Sequence, residues 1–142
     1  MLRLAALTVV SGLYALAALA QDVVSYKELK GVQIREYQML MTIDAFNCEA
    51  TVGKKCTMTV TVINKGERPE PFNGTLFSID DGKGNSYRAV PLEGQSAAAL
   101  KKELQPGESG RFTVYFNGRI HFEGRNPAHL RYANTSKLRI VK

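Results

Sequence analysis

From residue 56 to 63 every even position is apolar and the odd ones are mostly polar. Cys56, Met58, Val60 and Val62 take the even positions, and Thr57, Thr59 and Thr61 take three of the four odd ones. Successive side chains on a β-strand point to opposite faces, so the pattern predicts a strand with one face written for a core and the other for water. Asn64, Lys65 and Gly66 stop it with turn chemistry. The same period recurs over 111–116, where Phe112, Val114 and Phe116 alternate with Arg111, Thr113 and Tyr115, and Asn117-Gly118 is expected to close the strand. The two runs are expected to be central strands that face each other from opposite sheets across one core.

The weaker elements follow by the same reasoning. Val32 and Ile34 alternate with Gln33 and Arg35, and Met39, Met41 and Ile43 alternate with Leu40, Thr42 and Asp44. The second run carries a conflict of parity: if its methionines face inward, Cys48 faces outward, whereas Cys56 faces inward. One extra residue near 44–47, a β-bulge, would flip the alternation and restore agreement. Pro69 and Pro71 forbid a central strand and favour an edge or an extended crossing segment. Residues 75–79 and 86–90 form a hairpin around the turn at 80–85, and 130–132 and 137–141 complete the chain as short strands. Residues 96–104 are the one helix-like stretch, with Ser96 as its cap. Seven or eight strands, each with one apolar face, predict an all-β fold, an antiparallel two-sheet immunoglobulin-like β-sandwich over 32–142.

The ends of the chain change the setting. Residues 1–20 hold one charge, Arg3, followed by an apolar run ending in Ala18-Leu19-Ala20, which reads as a signal peptide cut before Gln21. Residues 21–31 read as an N-terminal tail. The expectation is therefore a secreted or periplasmic protein, with no transmembrane segment in the mature chain and no lipid-bearing cysteine at the cleavage point. In an oxidising compartment the two cysteines, Cys48 and Cys56, are expected to pair as a disulfide.

The order of these pieces resembles a known group. Gly53-Lys54-Lys55 leads into the strand that ends at Asn64-Lys65-Gly66; Phe77-Ser78-Ile79-Asp80-Asp81-Gly82 and Tyr87 follow; Leu104-Gln105-Pro106-Gly107-Glu108 precedes Phe112-Thr113-Val114-Tyr115-Phe116; Leu130-Arg131-Tyr132 comes late. The arrangement is similar to a family of exported bacterial immunoglobulin-like domains of unknown function, whose fold is shared with a secreted mycobacterial immunoprotective antigen. The resemblance implies a fold and no chemistry. Many members are lipoproteins, and this chain departs from them in lacking the lipid cysteine. Pro106-Gly107-Glu108 also resembles a segment of an intracellular bacterial proteinase inhibitor, an identity that the export signal argues against.

Residues that could carry chemistry are few. His121 and His129 are the two histidines, and neither a nucleophile elbow nor a Cys-His pairing accompanies them. Asp80 and Asp81 lie in a turn that lacks the alternating acids of a calcium loop. Met39, Met41, Met58, Cys56 and the histidines could suit copper, yet the methionines fall on core positions. The chain reads as a non-enzymatic module with no cofactor and no nucleic-acid signature. Charge gives the remaining hint: from residue 109 onward five arginines and two lysines face Glu123 alone. Arg111, Tyr115, Arg131, Lys137 and Arg139 take outward strand positions and form a candidate anion-binding face for a protein partner or an anionic envelope polymer. A solvated face kept charged for solubility is the competing reading. A protease inhibitor that presents a loop is the alternative function.

Overall fold

The computed structural model describes residues 23–49, 54–120, 122, 128–133 and 136–141. The proposed signal peptide and His121 lie outside them. The alternating run at 56–63 lies within β4 (Lys54–Asn64), with Cys56, Met58, Val60 and Val62 fully buried. The run at 111–116 lies within β9 (Ser109–Ile120). The two strands do not face each other across the core. They are hydrogen-bonded neighbours, with Val60 opposite Phe112 and Met58 opposite Val114. Alternation reports which face of a strand is apolar and carries no information about which strand lies beside it.

Eleven strands are present among the described residues. The others are β1 (Val23–Ser25), β2 (Gln33–Glu36), β3 (Met39–Cys48), β5 (Glu70–Asn73), β6 (Phe77–Asp80), β7 (Ser86–Val90), β8 (Lys101–Leu104), β10 (Ala128–Tyr132) and β11 (Ser136–Val141). Nine of them form one ladder in the order β1-β11-β10-β6-β7-β9-β4-β3-β2, and β5 and β8 form a separate pair. The expected two-sheet, seven- or eight-stranded arrangement is thus corrected to one curled sheet of nine strands with a small second sheet. The corner is β7. Its first residues pair with β6, Ser86 opposite Asp80 and Arg88 opposite Ser78, while Ala89 and Val90 pair with Phe116 and Tyr115 of β9. By dividing its hydrogen bonds this way, β7 lets one ladder wrap around a core built from Ile43, Met58, Val60, Phe77, Ile79, Val114, Leu130 and Ile140.

The small sheet covers one side of that core. Phe72 of β5 is buried against Phe112, Tyr132 and Phe77, with ring centroids 4.4, 5.8 and 6.2 Å away. Pro71 is accommodated there because β5 pairs on one side only, with β8. The helix-like run at 96–104 becomes a single 3-10 turn, Ala97–Leu100, followed by β8. Leu100 and Leu104 have the spacing of one helical face, but the pairing of β8 with β5 uses the backbone of the residues between them, and both leucines are buried without a helix.

Three local features explain where sequence and structure part or agree. In β3, Ile43 pairs with Val60 and Ala45 with Thr59, so Asp44 is the inserted residue of a bulge; beyond it Phe46 and Cys48 return to the inner face. Strand β9 runs straight through Asn117-Gly118. Glycine is needed at 118 because a Cβ there would stand 2.0 Å from the ring of Tyr87. The lead-in expected over 21–31 holds β1, which pairs in parallel with β11, and Leu29, which is fully buried.

Candidate anion-binding face

Neighbouring strands align side chains in rows, because residues directly opposite one another share a face of the sheet. On the outer face of β7, β6, β10 and β11, Arg88 is opposite Ser78, Ser78 opposite Arg131, and Arg131 opposite Lys137. The next row runs Ser86, Asp80, His129, Arg139. Lys137 enters this account by backbone register alone. The inner face of the same strands is apolar, with Phe77, Ile79, Ala89, Leu130, Leu138 and Ile140 buried, which leaves the polar set facing outward. Among the described residues of these two rows, Asp80 is the only acid against four cationic positions.

Asp80 is already engaged. Nη1 of Arg131 donates to its Oδ2 at 2.8 Å, a diagonal contact between the two rows. Nε of the same guanidinium is buried without a hydrogen-bond partner. A cleft of about 360 Å³ opens here, lined by Leu76, Ser78, Ser86, Arg88, Arg131 and Ala133. It offers two guanidinium groups and two hydroxyls to an incoming anion, and guanidinium forks match phosphate and carboxylate geometry.

The hairpin that carries Ser78, Ser86 and Arg88 is held by Asp81. Its Oδ1 accepts from the backbone N–H groups of Lys83 and Asn85, each at 2.9 Å, and its Oδ2 accepts from the Asn85 amide and the Tyr87 hydroxyl, each at 3.2 Å. Burial alone would raise the Asp81 carboxyl, but the Asn85 and Lys83 backbone bonds, joined by those from the Asn85 and Tyr87 side chains, outweigh it and hold the group below the ordinary carboxylate value. Burial, and then the neighbouring Asp81 charge, push the Tyr87 hydroxyl upward. With both carboxylate oxygens occupied by donors of the protein, this turn has the structure of an Asp-capped loop.

The five residues expected to form one basic face divide into two groups. Arg131, Lys137 and Arg139 share the outer face just described. Arg111 and Tyr115 lie on β9, opposite Thr61 and Thr57 of β4. Three strand steps separate β9 from β10, about 14 Å along the ladder before its bend is counted. Arg111 is also paired, its Nε 3.4 Å from Asp44, the bulge residue. Ser78, Ser86 and Arg88 were not singled out from the sequence. The hairpin read with its turn at 80–85 sets residue 79 opposite 86, one residue out of the observed register in which Ser78 faces Arg88, and the strand patterns also lacked the placement of β10 beside β6.

The remaining candidates are placed as follows. Cys48 and Cys56 are directly opposite one another and form a disulfide. Met39, Met41 and Met58 are buried in the core, while His129 is on the outer face of β10, so the described residues among those considered for copper are not gathered at one place. No cluster of three or more His, Cys, Asp or Glu suited to a metal occurs among the described residues. The turn at 105–108 is fastened by Gly107 N–H to the Asn64 carbonyl and by Asn64 N–H to the Glu108 carbonyl. Asn64 itself is fully buried and donates its side-chain amide to the carbonyls of Arg68 and Leu104. Among the described residues no helix is long and apolar enough to cross a membrane.

One comparison with known proteins bears on family and another on fold. The profile of DUF4352, a domain of unknown function, matches residues 23–121. The matched span starts at β1, earlier than the sandwich expected over 32–142. No curated protein matches the sequence significantly. Among solved structures, the yjhA protein of Bacillus subtilis is similar over 75% of this chain and 84% of its own, with 17% identity and a TM-score of 0.51. A conserved hypothetical protein of Bacillus anthracis is similar over 77% of this chain and 92% of its own, with 16% identity and a TM-score of 0.50. The secreted Mycobacterium tuberculosis protein MPT63 aligns over 76% of this chain and 87% of its own, with 14% identity and a TM-score of 0.42. At such identities the two Bacillus proteins show a shared fold and nothing of ligand or activity.

Proposed function

We propose that this chain, which belongs to the DUF4352 family of domains of unknown function, is an exported, non-enzymatic binding module that engages anionic envelope components through the outer face of β7, β6, β10 and β11. Its ladder, bent at β7, acts as two layers around one core, an immunoglobulin-like sandwich in that sense. Export rests on the apolar leader at 1–20. The observation that carries the binding reading is the alignment of Arg88, Arg131, Lys137 and Arg139 on neighbouring strands with Asp80 as the one opposing charge in their rows. Such an excess of one sign attracts an oppositely charged surface and makes the attraction depend on salt.

The test is charge reversal of Arg88 and Arg139, both exposed and neither paired with an acid among the described residues. The mature wild type is expected to bind an envelope or heparin-like matrix at low ionic strength and to elute near physiological salt. The Arg88→Glu/Arg139→Glu variant should lose retention with its thermal midpoint nearly unchanged, while Arg111→Gln should keep it. Retention that survives the double reversal, or that ignores salt, would leave solubility as the role of these charges.

A further inference from the structure

Resting on the anion-binding reading, we propose that the cleft between Arg88 and Arg131 takes a singly charged phosphodiester whose organic arm lies against Leu76. The two arginines stand opposite the two sides of Ser78, so their Cα atoms are two strand steps apart, about 10 Å. Long side chains from those positions can converge on one group seated over the serine. The Ser78 and Ser86 hydroxyls add donors of a kind that a tetrahedral oxyanion uses more fully than a planar carboxylate does.

The Arg131–Asp80 pair favours a monoanion. Arg131 is bound to Asp80 at 2.8 Å, so among the described residues lining the cleft Arg88 is the one cation without a paired acid. A second negative charge on the ligand, as in a phosphate monoester, would be placed close to the Asp80 carboxylate and be repelled. The rim supplies the rest of the recognition. Leu76, 38% exposed, is one of the two large apolar side chains exposed among the described residues, and it stands beside Ala133, whose N–H donates to the Leu76 carbonyl at 3.0 Å. An apolar edge next to two guanidinium groups suits an ester with carbon attached and gains little from inorganic phosphate.

Amide-resolved NMR titration of the mature protein with glycerophosphoglycerol, glycerol 3-phosphate and methyl sulfate compares diester, dianionic monoester and a singly charged sulfate ester. The diester should bind most tightly and perturb Ser78, Ser86, Arg88 and Arg131. Arg88→Gln and Arg131→Lys should each weaken it about ten-fold or more, the first by removing a guanidinium and the second by replacing a planar fork with a point charge; Arg111→Gln should not. Cosedimentation with phosphatidylglycerol vesicles, set against the soluble diester, separates a lipid headgroup from a free or polymeric source of the same chemistry. Tighter binding of the monoester or sulfate, or perturbation centred on Arg111 and Thr61, would overturn the proposal. If the double charge reversal abolishes envelope retention while the diester leaves the cleft unperturbed, the phosphodiester assignment falls and the anion-binding reading stands; if retention survives, both fall.

Discussion

The outer faces of the two halves of the ladder are built from the same alternation and come out chemically opposite. On β3, β4 and β9 polar groups find one another: the Thr59 and Thr113 hydroxyls are 3.0 Å apart, Thr61 donates to Asp44, and Asp44 also holds Arg111. On β7, β6, β10 and β11 cations outnumber their partners, and one guanidinium nitrogen is buried with none. The bulge makes much of the difference. By inserting Asp44 it brings a carboxylate to Arg111, one of the two outward arginines of β9. The other half has no such insertion, and its arginines line up by plain register. A spare charge is thus a property of cross-strand neighbours, and an arginine's own strand does not reveal it.

The comparison can be broken outright by a change that removes both faces together. Val60→Asp places an unpaired carboxylate at a fully buried position and should cost more than about 4 kcal/mol, read as loss of the cooperative denaturant transition and of retention at once. A folded Val60→Asp protein would contradict the single shared core. Next in size is the disulfide of the threonine-lined half. Cys48→Ala/Cys56→Ala should lower stability by about 2.5 kcal/mol on chain-entropy grounds while leaving retention on an anionic matrix intact. Alkylation of the denatured wild type without reductant should add no mass, and two added groups would refute the bridge.

The smallest expected effect sharpens the basic half. The Asp81 carboxyl has a folded value below its unfolded one, so the stability it contributes is complete above about pH 4 and is lost as pH falls through the lowered value. Asp81→Asn should therefore be less stable than wild type near neutrality, with the gap closing under acid. A gap that stays constant from pH 7 to pH 2 would remove Asp81 as the clamp of the hairpin that carries Ser78 and Arg88.

Much of the fold was legible because burial has a period. The inner faces of β3, β4 and β9, the hairpin at β6 and β7 and the bulge before Cys48 all follow from alternation and from one broken parity. What was not legible is what alternation omits. The side-by-side placement of β4 and β9 depends on which edges pair, and β1 has too few residues for any period to show. Gly118 reads as a turn until Tyr87 is seen against it, and Asn64 reads as a strand stop although its buried amide ties together the loops at 66–68 and 104–108. For the candidate site, Arg131, Lys137 and Arg139 were found from their outward parity. Arg88 was missed because it stands far from the basic run in sequence and comes to it only through β6.

The parallel pairing of β1 with β11 has a kinetic consequence. Val23 meets Arg139 and Ser25 meets Val141, so the first strand has no partner until the last has been synthesised. Contacts of such long sequence separation pay their loop-closure entropy before they return any stabilisation, and they slow folding. While the chain is being made, β1 stays an open strand. Completion of the sheet at β1 then comes among the last events of folding.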